Sequence, residues 1–139
     1  MSDINNLRHE DSAFKRNRYI KEFILTEFKK IETIDKVFYL NITLDDELEV
    51  HIKEEIPRGM IEDIIAEIQM FDNYVQDFCE LNSKKSTFGD SNYMVDLAWI
   101  QIEPNKVVMG YWGKFVNIEL RAIFIRNNLV WENEDIYWQ

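Results

Sequence analysis

Few side chains in this sequence could act as a nucleophile, a base or a soft metal ligand. Its 139 residues supply one cysteine, Cys79, and two histidines, His9 and His51. That excludes a disulfide framework within the chain and any cysteine-based zinc cluster. His51 alternates with acids on the outward side of a strand pattern, and His9 lies in a polar segment. Neither has a Ser, Cys or Asp partner at a motif spacing, so exposed histidines without a catalytic role are expected. Cys79 closes an apolar helical stripe beside Phe78, which reads as a buried thiol. No Walker loop, GxGxxG, HExxH, GxSxG or CxxC occurs. The expectation is a protein that is not an enzyme and has no catalytic residue, metal site or cofactor.

Carboxylates and aromatics remain, and these are the chemistry of binding. Asp45, Asp46, Glu47 and Glu49, with Glu54 and Glu55, form an acidic hairpin edge. Glu132, Glu134 and Asp135 form a second acidic cluster. Neither has the central glycine of a calcium loop, and a solvated face is the plainer reading of each. Glu119 and Arg121 share a strand face with Asn117 and read as a cross-strand ion pair. Gly110-Tyr111-Trp112-Gly113 holds two of the four glycines around adjacent aromatics. Neighbouring strand residues point to opposite faces, so Tyr111 and Trp112 cannot both be core on one side. Trp and Tyr are favoured interface anchors.

The elements that must position these residues follow from periodicity. Met1 to Asp11 is polar and reads as frayed. Tyr19, Ile20, Phe23, Ile24, Phe28 and Ile31 recur at helical spacing, predicting a helix over Ser12 to Ile31. A second stripe runs through Ile61, Ile64, Ile65, Ile68, Phe71, Val75 and Phe78, predicting a helix over Pro57 to Leu81. Between them, alternation from Phe38 to Leu44 and from Leu48 to Ile52 predicts a hairpin. Opposed residues must sum to an even number, so an odd-length loop Asp45-Asp46-Glu47 with Leu44 opposite Leu48 is expected.

Four further strands follow Asn92. Pro104-Asn105 predicts a tight turn that sets Ile102 opposite Val107, Ile100 opposite Met109 and Trp99 opposite Gly110. Asn127-Asn128 predicts a turn that sets Phe124 opposite Trp131. The strand from Tyr93 to Ile102 is apolar on both faces, which asks for a curled sheet, a second protomer or a partner over the second face. The expected fold is a single α+β domain over residues 1–139. Two helices pack on one face of a mainly antiparallel sheet, in the order α-β-β-α-β-β-β-β.

Charge is asymmetric. The formal net charge is −10, and residues beyond Lys36 carry 8 basic against 19 acidic side chains. Such a surface repels nucleic acid and anionic lipid and attracts a basic protein. No apolar stretch reaches the ~18 residues of a membrane span, and a cytoplasmic location is expected.

The run Val107-Val108-Met109-Gly110-Tyr111-Trp112-Gly113-Lys114-Phe115-Val116-Asn117, continuing to Trp131, resembles the C-terminal strands of small acidic bacterial immunity proteins. Those proteins neutralise toxins in toxin–immunity pairs. The resemblance covers the last third of the chain. It implies a cytoplasmic inhibitor without catalysis, whose partner is a toxin; the acidity of the chain favours a basic one. The expected partner-binding residues, read from charge and aromatic placement, are Asp45, Asp46, Glu47, Glu49, Tyr111, Trp112, Glu132, Glu134 and Asp135. The alternative is a regulatory or binding module that forms a homodimer through the second sheet face.

Overall fold

A computed structural model describes residues 37–41, 47–52, 56–83, 94–113 and 118–139. In chain order these are strands β1 (Val37–Asn41) and β2 (Glu47–Ile52), helix α1 (Arg58–Ser83), and strands β3 (Val95–Glu103), β4 (Lys106–Gly113), β5 (Glu119–Asn127) and β6 (Val130–Trp138). The six strands form one sheet in sequence order. Every neighbouring pair is antiparallel except β2 and β3, which run parallel.

This corrects the expected architecture of two helices on a mainly antiparallel sheet. Among the described residues there is one helix, and the sheet is mixed. The reason is the position of α1 in the chain. A parallel pair needs a crossover of a dozen or more residues, and α1 supplies 26 between β2 and β3. The helix expected over Ser12 to Ile31 lies outside the described residues.

Helix α1 starts where the sequence allows. The Pro57 carbonyl accepts the first helical bond from the Ile61 amide at 3.1 Å, and proline has no amide to leave unpaired there. Arg58 and Glu62 pair one turn apart at 3.7 Å. The stripe of Ile61, Ile64, Ile65, Ile68, Phe71, Val75 and Cys79 is buried against the sheet. Facing it are Leu48, Val50, Ile52, Ile100, Ile102, Val107, Met109, Leu120 and Ala122.

Two bulges decide which side chains reach that core. In β3 the register shifts between Leu97 and Trp99, leaving Ala98 without a direct partner. Val95 and Leu97 before the shift, and Ile100 and Ile102 after it, are therefore all buried on the α1 side. The apparent two-faced apolar strand is a single apolar face interrupted by one extra residue. In β6 the register shifts opposite the Ile123–Phe124 step, leaving Glu134 without a direct partner. Trp131 before the bulge, and Ile136 and Trp138 after it, all pack against the core. The Asn133 amide bridges the irregularity, donating to the Ile123 carbonyl at 3.1 Å and the Asp135 carbonyl at 3.0 Å.

The turns agree with the sequence in kind and partly in register. Pro104-Asn105 joins β3 to β4, with Asn105 at φ 56°, and the pairs Ile102–Val107, Ile100–Met109 and Trp99–Gly110 form as expected. The β5–β6 turn falls one residue later than expected, on Asn128 and Leu129 at φ 50° and 67°. Phe124 therefore opposes Asn133, and Trp131 opposes Arg126. In the first hairpin Leu48 opposes Leu40, not Leu44, although the even-sum rule holds. The intervening residues 42–46 lie outside the described residues.

Candidate functional site

With α1 on one side, the other side of the sheet is where polar and aromatic groups gather. Strand alternation splits the Gly110–Gly113 tetrapeptide between the two sides. Tyr111 turns toward α1 and is fully buried, whereas Trp112 is 48% exposed on the outer side. Register sets Trp112 opposite Asp96 on β3 and opposite Glu119 on β5. An exposed indole thus has a carboxylate residue across from it on either neighbouring strand.

A second indole is pinned next to it. Trp99 lies flat over Gly110, so close that a Cβ placed on Gly110 would sit 1.9 Å from the Trp99 ring. Only glycine leaves that space. The Trp99 indole N–H donates to Glu119 Oε1 at 2.7 Å, and Arg121 Nε donates to Glu119 Oε2 at 3.0 Å. The Arg121 guanidinium also stands 5.3 Å from the Trp99 ring centre. The Glu119–Arg121 ion pair, expected across strands, instead lies within β5 between residues two apart, where it also clamps Trp99.

The described members of the expected partner-binding set are spread over β2, β4 and β6. Asp45 and Asp46 lie outside the described residues, and Glu47 is described only as the first residue of β2. Glu49 is half-buried on the outer side and accepts a hydrogen bond from His51 Nε2. Trp112 is exposed as an anchor must be. Glu132, Glu134 and Asp135 are exposed on β6, at the far end of the strand order from β2. The Asp135 carboxylate is partly engaged by the Ile136 amide at 2.8 Å.

Tyr111 is removed from the candidate surface by its burial. Its hydroxyl donates to Asp72 Oδ1 at 2.6 Å, and Gln76 Nε2 donates to the same oxygen at 3.3 Å. Asp72 and Gln76 are themselves buried on α1. Burial, reinforced by Asp72, pushes the Tyr111 hydroxyl well above its usual value of 10.0. The same two causes push the nearby Cys79 thiol from 9.0 up to about 12. Such a thiol is protonated and poorly nucleophilic near neutral pH. Sequence reasoning missed this polar cluster. Its signal was a carboxylate and an amide, Asp72 and Gln76, one turn apart within an otherwise apolar stripe.

Among the described residues no group of three His, Cys, Asp or Glu side chains is arranged to hold a metal ion. No described helix is long and apolar enough to cross a membrane. Comparisons with protein-family models, with curated proteins and with solved structures find no match to this chain.

Proposed function

We propose that this domain is a non-catalytic, cytoplasmic protein-binding module, an immunity-type inhibitor that masks a basic toxin. The observation that carries the reading is Trp112, half exposed on the outer sheet face and opposite Asp96 and Glu119. A large, stiff aromatic offers contact area at small entropic cost, and the acidity of the domain around it favours a cationic surface as its counterpart. The net charge of −10 extends that preference beyond contact range. A toxin that acts on phosphates must itself be basic at its active site, so an acidic inhibitor competes for the same field.

The same charges weigh against a homodimer through this face. Two copies of a chain with net charge −10 repel each other on approach, whatever residues meet. The test is to capture the partner from the native cell with this chain as bait and then co-express the two; the captured protein should be basic and toxic on its own. The wild-type chain should restore growth, and Trp112→Ala should fail to do so while keeping a native circular-dichroism spectrum. Full protection by Trp112→Ala would place the contact elsewhere. A solution mass of two chains that falls to one in Trp112→Ala would assign the face to self-association.

A further inference from the structure

Strand β6 is one edge of the sheet, and among the described residues no strand pairs with its open side. The ladder to β5 shows which backbone groups face that side. The Gln139 amide donates to the Glu119 carbonyl at 2.7 Å, so residues 139, 137 and 135 point at β5 and Ile136 points away. On the other side of the bulge, the Arg126 amide turns toward the Asn105 carbonyl at 2.9 Å. Its cross-strand partner Trp131 therefore also points away from β5. A row of outward backbone groups is a template for a further strand. Every copy of this chain carries the same row, and two identical edges can pair antiparallel about a two-fold axis. Such pairing would also cover Trp131, Ile136 and Trp138, which are only partly buried on the α1 side of β6.

Two features oppose it. The Ile136 amide, which a new strand would need, donates instead to Asp135 Oδ1 at 2.8 Å. A carboxylate thus takes up the hydrogen bond that the edge would otherwise offer. Self-pairing also brings like charges together. Full antiparallel overlap of two β6 strands sets Glu134 opposite its own copy, with Glu132 and Asp135 within two residues of it, and β6 has no Lys or Arg to offset them. Charged side chains and bulges are recurrent ways of closing an edge.

We propose that β6 is a latent pairing edge for a second copy of this chain, held closed by the Asp135 carboxylate on the Ile136 amide. The inference does not depend on the proposed toxin binding. Two variants test it. Asp135→Ala removes both the acceptor and its charge, whereas Asp135→Asn removes the charge and keeps an oxygen that can accept from Ile136. Asp135 is exposed, so neither change disturbs the core. Mass is measured by light scattering over a concentration series in about 0.3 M salt, where the Debye length is shorter than ~8 Å and net repulsion is screened. The Asp135→Ala mass should climb from one chain toward two as concentration rises. The wild-type chain should keep one mass throughout, and Asp135→Asn should climb less than Asp135→Ala. In the paired variant the Trp131 and Ile136 amides should exchange with solvent about tenfold more slowly than in the wild type.

An Asp135→Ala mass equal to the wild type at every concentration would overturn the proposal. So would association that leaves exchange at Trp131 and Ile136 unchanged, because the contact would then lie elsewhere. Equal association of the two variants would make charge alone the guard and overturn the role of the Asp135–Ile136 bond. A wild-type mass of two chains with both amides already protected would show the edge to be open.

Discussion

Asp72 is a carboxylate almost wholly removed from water, and the Tyr111 hydroxyl at 2.6 Å is one of the groups that stabilises it there. Taking away one partner of a buried charge costs more than an ordinary hydrogen bond returns. Tyr111→Phe should therefore lower unfolding stability by about 2–3 kcal/mol. Urea denaturation would measure this, and binding through Trp112 should survive in the folded fraction. The pH dependence has a definite sign. Tyr111 and Cys79 both titrate higher in the folded chain than their ordinary values of 10.0 and 9.0. Their neutral forms are thus favoured by folding, and this contribution is intact below pH 9. It is lost as pH rises, because the unfolded chain then releases protons that the folded chain retains. Urea midpoints should fall between pH 8.5 and pH 10.5, and the fall should be smaller in Tyr111→Phe. That one of Tyr111 and Trp112 would be exposed was legible from the two-residue period of a strand. Which one was not, because the choice depends on Asp72, 39 residues away in the chain.

At the scale of elements, the β5–β6 hairpin carries an unusual turn. Asn128 and Leu129 both have positive φ, as a two-residue type I′ turn demands. Asparagine tolerates that conformation, whereas leucine pays for its Cβ. Leu129 is also 87% exposed, so burial returns nothing for the strain. Leu129→Gly should create the preferred Asn-Gly turn and raise stability by about 1 kcal/mol, readable as a higher thermal midpoint. The sequence predicts the turn one residue early, on Asn127-Asn128, because asparagine tolerates positive φ and leucine rarely adopts it. The β3–β4 turn was placed correctly because Pro104 and Asn105 each fit a single position in it. The bulges at Ala98 and Glu134 were not legible. A bulge inverts the alternation partway along a strand, and the resulting pattern reads as apolar on both faces.

Across the whole molecule, the helix from Arg58 and the long C-terminal meander were readable from period and turn chemistry. The mixed character of the sheet was not. Leu48, Val50 and Ile52 alternate with polar residues in the same way whichever direction the neighbouring strand runs. Charge is a whole-molecule property too, and it bears on how a partner arrives. If the partner is basic, association should slow several-fold as ionic strength rises from about 0.05 M to about 0.3 M, with dissociation nearly unchanged. Surface-based kinetics would measure this, and an on-rate indifferent to salt would argue against electrostatic steering. The parallel pairing of β2 with β3 has a consequence in time. Glu49 meets Trp99 across a stretch of chain that includes all of α1, whereas β3 through β6 are joined by short connections. Hairpins close within microseconds, but a distant pairing must wait for the loop-closure entropy of the intervening chain to be overcome. The meander is therefore expected to form as a unit, with the docking of β2 onto its edge at β3 as the slower event. During synthesis that docking has to wait for β3 to emerge, and until then only β1 is at hand to pair with β2.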